Sequence, residues 1–455
     1  MSGARAGFWL LAAGGAALFG QSLTISQAVE GALKNYPAVR VSQEQINAAA
    51  AGIQLARTAY LPRVDLLAQA NRATGNNVFG LLLPQNIIPF ISGQVIGSNN
   101  FETAWGSAVG VLVSWEPFDF GLRRANVAAA AAVRTEAEAS LRRTRYDIAV
   151  ATADAYLTLA AAEETVRAAQ AGVDRAETIL RTIQALANAG LRPGADASRA
   201  QAELAAARTQ WIQAKQATEV ARATVSEFVG VEPNQITLAA PRLLELPPAQ
   251  DSAPLDSKTN PIALEQDAAL ERAKAQLRAL ERSYFPRFSL QGSAYARGTG
   301  AETNGASLGG LNGLAPTVQD YALGFSVTFP AMDLPAIQAR RAAQSANIRA
   351  ETARYQQIAI DLRARWNAAT ARLRGAREVV ANTPVQVSAA RAALQQSTAR
   401  YQSGLANIDE VAEAQRLLTQ AEIDDTLARM SVWRGLLEIA TVAGDLQPFL
   451  TEASQ

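Results

Sequence analysis

The chain has 455 residues, 49% of them hydrophobic, and a formal net charge of +1. That is enough apolar material for a large core, or for several small ones along an elongated body, and no bulk field points to nucleic acid. Histidine and cysteine are both absent, which removes the commonest general base, the commonest transition-metal ligands, thiol nucleophiles and disulfides; the expectation is a protein that is not an enzyme and has no cofactor or metal centre.

The chain opens "MSGARAGFWLLAAGGAALFGQS": Arg5, then an apolar run from Phe8 to Phe19, then small and polar residues. This is the pattern of a secretory signal peptide over residues 1–20, and the run is too short to span a bilayer comfortably. No later segment offers about twenty uninterrupted apolar residues, so a membrane-inserted part would have to be built from strands.

Two copies of one plan follow, assigned to residues 21–230 and 261–442. Tyr60, Pro62, Arg63 and Leu66 reappear as Tyr284, Pro286, Arg287 and Leu290 at an offset of 224, and further on Asp119 maps to Asp333 and Gly190 to Gly404 at an offset of 214. The first copy is longer within residues 67–118, which contain the apolar stretch "VFGLLLPQNIIPFISG" near 78–92. Each copy begins with helical pattern, 25–57 and 262–282. Each then alternates apolar with small or polar residues, as in "SAVGVLVSW" and "YALGFSVTF". Alternation of this kind suits strands with one greasy and one wet face, predicted at 62–72, 102–115, 286–297 and 319–329 and forming hairpins at 62–115 and 286–329. Aromatic residues gather at the strand ends: Tyr60, Trp105, Trp115, Phe118, Tyr284, Phe285 and Phe329. They read as an interfacial girdle. The glycine-rich loop "GTGAETNGASLGGLNGLAPT" reads as flexible.

Long helical hairpins come next, at 122–229 and 335–442. Leu159, Val166, Val173 and Leu180 are spaced by sevens, and Leu373, Val380, Val387 and Leu394 repeat the same types in the same order. Such a stripe packs as a coiled coil. A proline-free run from 125 to 189 predicts one helix of about 100 Å at 1.5 Å per residue; Pro384 should kink its counterpart. The proline-rich stretch 231–260 joins the copies, and a tail follows from 443 to 455. Four strands cannot close a lipid-exposed barrel, so if these strands enter a membrane several chains must each contribute four; a small soluble sandwich is the other reading of the same strands.

These features, with the tandem "Y-[LF]-P-R" strand entries and the "AGL…D…AQ" helical tips, resemble the TolC family of outer-membrane efflux proteins over nearly the whole mature chain. The resemblance implies a mainly α chain with a membrane β-barrel. A homotrimer would close twelve strands in the outer membrane, with long coiled-coil helices forming an α-barrel that extends through the periplasm. The join and the tail would form an equatorial belt. A periplasmic adaptor (membrane fusion protein) and an inner-membrane pump are the implied partners, beside outer-membrane lipid. The implied function is a passive exit duct for efflux or type I secretion.

The helical tips carry the candidate site. Gly190 and Gly404 fall where long helices end, as left-handed caps. Asn407 then suits an N-cap, with Glu410 closing a capping box and Asp409 in the first turn. Glu410 and Glu413 share one helix face, and the resemblance places them as rings of like charge lining the pore entrance, favouring cations. It also implies a gate contact between Tyr401 and Asp196, against a plain N-cap role for Asp196. Relatives that place an arginine two residues after the tip glycine are matched here by Ala406, leaving Arg400, Arg192 or Arg199 as substitutes. Leu191 and Leu405, beside Gly190 and Gly404, offer adaptor contacts. A periplasmic coiled-coil structural or adaptor protein without a channel is the competing reading; a surface enzyme using carboxylates is another, though no paired acids stand out.

Overall fold

The computed structural model describes residues 22–74, 102–248, 255–302, 306–329 and 331–454. The signal-peptide reading of 1–20 and the apolar stretch near 78–92 lie outside them. Two compact units divide the chain: Met1–Ser42, Leu141–Leu264 and Gln357–Gln455 in one, Gln43–Ser140 and Glu265–Gln356 in the other.

The second of these holds a four-stranded antiparallel sheet in the order β1-β2-β3-β4, with β1 at Arg63–Thr74, β2 at Thr103–Phe118, β3 at Arg287–Thr299 and β4 at Val318–Thr328. Register puts Leu66 opposite Val111, Val111 opposite Ala294, and Ala294 opposite Tyr321. Residues directly opposite each other share a face, so the alternation seen in each strand adds up to one apolar surface. That surface is exposed: Tyr321, Leu323 and Phe325 are 87%, 75% and 62% accessible. The other face carries the Arg297–Asp320 ion pair at 3.0 Å and the buried ring of Tyr295. A sheet that is greasy outside and polar inside is the inverse of a soluble one. Its outer strands β1 and β4 each keep a free edge among the described residues.

At one end of the sheet Phe118 meets Phe120 edge-on with ring centroids 4.7 Å apart, and Phe120 stacks on Phe285 at 5.5 Å. Tyr284 meets Phe329 at 5.4 Å, and the Trp115 indole donates to the Tyr60 carbonyl at 3.1 Å. Trp105 sits apart, at the other end of β2 under Arg72. The turn out of β2 is tight, with φ +50° at Phe120 and +87° at Gly121. The Asp119 carboxylate satisfies it by accepting from the N–H groups of Gly121 and Arg123 at 3.0 and 2.6 Å and from the Arg123 side chain at 2.9 Å.

Among the described residues of the glycine-rich loop after β3, Gly300 and Gly313 are closely packed, where the sequence reads as flexible. The Gly300 N–H donates to the Trp105 carbonyl at 2.7 Å, and a Cβ on Gly313 would lie 2.1 Å from that same oxygen. Here glycine permits close backbone approach.

The helices are α1 (Ile25–Asn35), α2 (Pro37–Thr58), α3 (Leu122–Asn188), α4 (Gly194–Val229), α5 (Pro261–Arg282), α6 (Leu334–Gln402), α7 (Ile408–Ala443) and α8 (Gln447–Ser454). None among the described residues is long and apolar enough to cross a membrane. The helical stretch read over 25–57 forms two helices: Tyr36 has φ −68° and ψ 125°, the extended conformation that a following proline favours. In the first unit α6 runs on through Pro384 without a break. The Val380 carbonyl, which proline deprives of its partner, has the Thr383 hydroxyl 3.4 Å away.

Around α3, α4 and α7 of that same unit lies a collar made of the residues before α1, the join and α8. Leu23 and Leu238 form a parallel bridge, and the Tyr156 hydroxyl reaches the carbonyls of Leu23 at 2.8 Å and Ala239 at 3.1 Å. Trp433 is wholly buried; its indole donates to the Glu245 carbonyl at 3.1 Å and its ring meets Phe449 at 6.3 Å.

Candidate functional site at the helical tips

Two helix ends build the tips in the same way. The Gly190 N–H bonds the Ala187 carbonyl and the Leu191 N–H bonds the Leu186 carbonyl, at 3.0 and 2.9 Å; the Gly404 and Leu405 N–H groups bond Tyr401 and Arg400 at 3.1 and 2.8 Å. Both are Schellman caps, with glycine at φ +73° and +80° where a side chain would be strained. The residue after each glycine is turned out: Leu191 and Leu405 are 70% and 72% exposed. The heptad seam ends here in an apolar cluster of Ile183, Ala200, Tyr401, Ile408 and Val411.

Tyr401 is the centre of the site. Only 3% of it is exposed, and its hydroxyl donates to the Asp196 carboxylate at 2.8 Å. Burial, and then the Asp196 bond, push its pKa up to about 12, so the phenol stays a donor throughout the physiological range. The N-cap reading of Asp196 is corrected: Pro193 occupies the cap, without a side-chain bond, and Asp196 lies in the first turn of α4 with its carboxylate on Tyr401. Arg192 covers the Tyr401 ring with its guanidinium 4.3 Å from the centroid and also donates to the Tyr401 carbonyl. Of the three arginines considered in place of Ala406, it is the one that touches the tyrosine. Arg199 lies 3.5 Å from Asp409, and Arg400 3.9 Å from Glu410.

Asn407 caps α7 by accepting from the Glu410 N–H at 3.1 Å. The other half of the capping box is missing among the described residues, because the Glu410 side chain turns toward Arg400 instead of back to the Asn407 N–H. Glu410 and Glu413 have side chains 47% and 73% exposed, and Glu413 meets Arg416 at 2.9 Å. Both carboxylates therefore face solvent within one chain, held by arginines rather than by the cap.

Below the tips the helices approach closely. The Gln415 side chain donates to the Gly172 carbonyl at 3.2 Å, and a Cβ on Gly172 would lie 3.1 Å from Thr419. A groove of about 400 Å³ opens here, lined by Glu203, Gln210, Glu413 and Arg416 among others. Sequence reading missed the Arg199–Asp409 pair and this groove, because each joins residues from helices some two hundred positions apart. Among the described residues no cluster of three or more acidic side chains that could hold a metal ion forms.

A model of the outer membrane efflux protein family matches residues 28–231 and 258–445, both repeats. The chain belongs to this family. Solved outer-membrane channels share its fold. The outer-membrane channel OprN is 23% identical with a TM-score of 0.74 over 92% of this chain and 89% of its own. The Campylobacter jejuni outer membrane channel CmeC is 17% identical with a TM-score of 0.74 over 95% and 89%. Protein CyaE of Bordetella pertussis is 29% identical over 219 residues, 48% of this chain and 42% of CyaE, so the match spans under half of that relative.

Proposed function

We propose that the protein is the outer-membrane exit duct of a tripartite efflux or type I secretion system. Three copies would pass substrate outward passively, energy being supplied by an inner-membrane pump through a periplasmic adaptor. The observation that carries this reading is the sheet: its apolar face is exposed and its two outer strands are unpaired among the described residues. In hydrocarbon an unpaired edge is untenable, and four strands are too few to close. Pairing β4 of one copy with β1 of the next, three times over, closes twelve strands and leaves no edge. The family membership and the likeness to solved outer-membrane channels support the same conclusion.

The tips supply the gate. In our reading Tyr401, Asp196 and Arg192 latch the two helical hairpins of one copy, and Glu410 and Glu413, repeated threefold, line the entrance. Leu191 and Leu405 are the contacts offered to the adaptor, and the collar is the equatorial belt. Single-channel conductance in a planar bilayer tests this. The wild type should be cation-selective, and Glu410→Gln with Glu413→Gln should lose that selectivity. Unchanged selectivity would remove the entrance role from both glutamates; a protein that never conducts, even with Tyr401→Phe and Asp196→Ala, would sink the duct.

A further inference from the structure

The duplicated long helices differ at one stripe. On α3 the residues Ala149, Ala153, Tyr156, Ala160 and Glu163 recur at intervals of four and three, which places them on one helix face. This face carries the collar. Ala149, Ala153, Tyr156 and Ala160 belong to the buried core that includes Leu243 and Leu450 of the collar, and the Tyr156 hydroxyl is held by collar carbonyls.

At the offset of 214 that aligns the two heptad seams, the same stripe on α6 reads Arg363, Asn367, Thr370, Arg374 and Arg377. Here it is bare: Arg363, Asn367, Thr370 and Arg374 are exposed, while Arg377 is half-buried with one guanidinium nitrogen hidden and unpaired. Between 363 and 377 the chain places five arginines and no acid, and among the described residues only Arg372, on the other flank, is in an ion pair. The duplicated fold does not require arginine at these positions, since the first copy fills them with alanine and glutamate. An uncompensated row of like charge costs stability unless something of opposite sign covers it.

The collar has that sign. Its described residues, 231–248, 255–260 and 444–454, contain five acids against two basic residues. Glu245 and Glu452 are neutralised within the chain by Arg242, but Glu232, Asp256 and Asp445 are exposed and make no ion pair among the described residues.

We propose that the Arg363–Arg374–Arg377 row receives the acidic collar of a second copy of this chain. Each collar then covers the α3 stripe of its own protomer through apolar contacts and the matching α6 stripe of its neighbour through charge. This rests on the reading of the protein as a closed assembly, and it makes the contact salt-sensitive.

The chain has no cysteine, so engineered pairs report without background. Arg374→Cys is combined in turn with Glu232→Cys, Asp256→Cys and Asp445→Cys, and the membranes are oxidised. At least one pair should give a reducible ladder of dimer and trimer that the single-cysteine variants lack. In parallel, Arg363→Glu, Arg374→Glu and Arg377→Glu together should lower trimer survival in detergent at least tenfold, and adding Glu232→Lys, Asp256→Lys and Asp445→Lys should restore it; circular dichroism confirms that the helices persist. A trimer by native mass measurement that yields no ladder and tolerates the charge reversal overturns the proposal and leaves the duct intact. So does a row that maleimide cannot reach in cells although no pair cross-links, which would mean a different occupant. A wild type that is monomeric in native membranes removes the duct reading itself.

Discussion

Tyr401→Phe isolates the latch. The substitution keeps the ring in its apolar cluster with Ile183, Ile408 and Val411 and keeps Arg192 over the ring face, but it deletes the hydroxyl that donates to Asp196 at 2.8 Å. A hydrogen bond to a charged acceptor contributes about 1.5–3 kcal/mol. If the bond exists only in the closed tip, its loss shifts the closed–open equilibrium by about ten- to a hundredfold, at about 1.4 kcal/mol per factor of ten. Open probability in a planar bilayer is the readout. Asp196→Asn should have a comparable effect, and the double variant should add little to either, because both remove one interaction. Two effects that simply add, or a Tyr401→Phe channel that opens no more often than wild type, would refute the latch. The tyrosine also sets a pH limit. Its folded pKa is raised to about 12 from 10.0, so the folded state binds the proton more tightly. The corresponding stability is full below pH 10 and is lost as pH rises toward 12.

Other expectations follow from single contacts. Gly110 faces Tyr295 in the sheet, and a Cβ there would lie 2.3 Å from the Tyr295 Cβ; Gly110→Val should abolish the heat-modifiable barrel form on a gel, whereas Gly52→Ala, in open space, should not. At Asp119, burial raises the pKa, but the bonds from Arg123 and Gly121 outweigh it and hold the carboxyl below its ordinary 3.8. Its contribution is therefore present above that value and lost as pH falls through the lower, folded one, and Asp119→Asn should flatten acid unfolding followed by tryptophan fluorescence. Trp433→Ala should cost about 3–5 kcal/mol by leaving a cavity, read as a lower denaturation midpoint; a change below about 1 kcal/mol would mean that the collar does not depend on this anchor.

Local chemistry made much of the molecule legible. The twofold period of β2 and β4 is a property of adjacent residues, and so is the sevenfold spacing of the leucines and valines on α3 and α6. The glycines at 190 and 404 declare helix ends because left-handed backbone is nearly free only for glycine. From those patterns alone came four strands, paired long helices, a duplicated plan, and the need for several copies to close the sheet. The tip residues were found by matching one repeat to the other and to a family. What was left open or misread depended on partners far away in the chain. Asp196 reads equally as a helix cap or as the partner of Tyr401 until the fold brings the two together at 2.8 Å. Glu410 seems half of a capping box until Arg400 competes for it, and Gly300 and Gly313 of the β3–β4 loop suggest mobility until the Trp105 carbonyl fills the space beside them.

The sequence by itself determined the periodicities, the caps and the repeat, since these are written in residues within a turn or two of one another. Only the tertiary structure decided which arginine lies over Tyr401, where the collar packs, and that one stripe is covered on α3 but bare on α6. Those outcomes depend on the register between helices two hundred residues apart, which side-chain packing sets and no local pattern encodes.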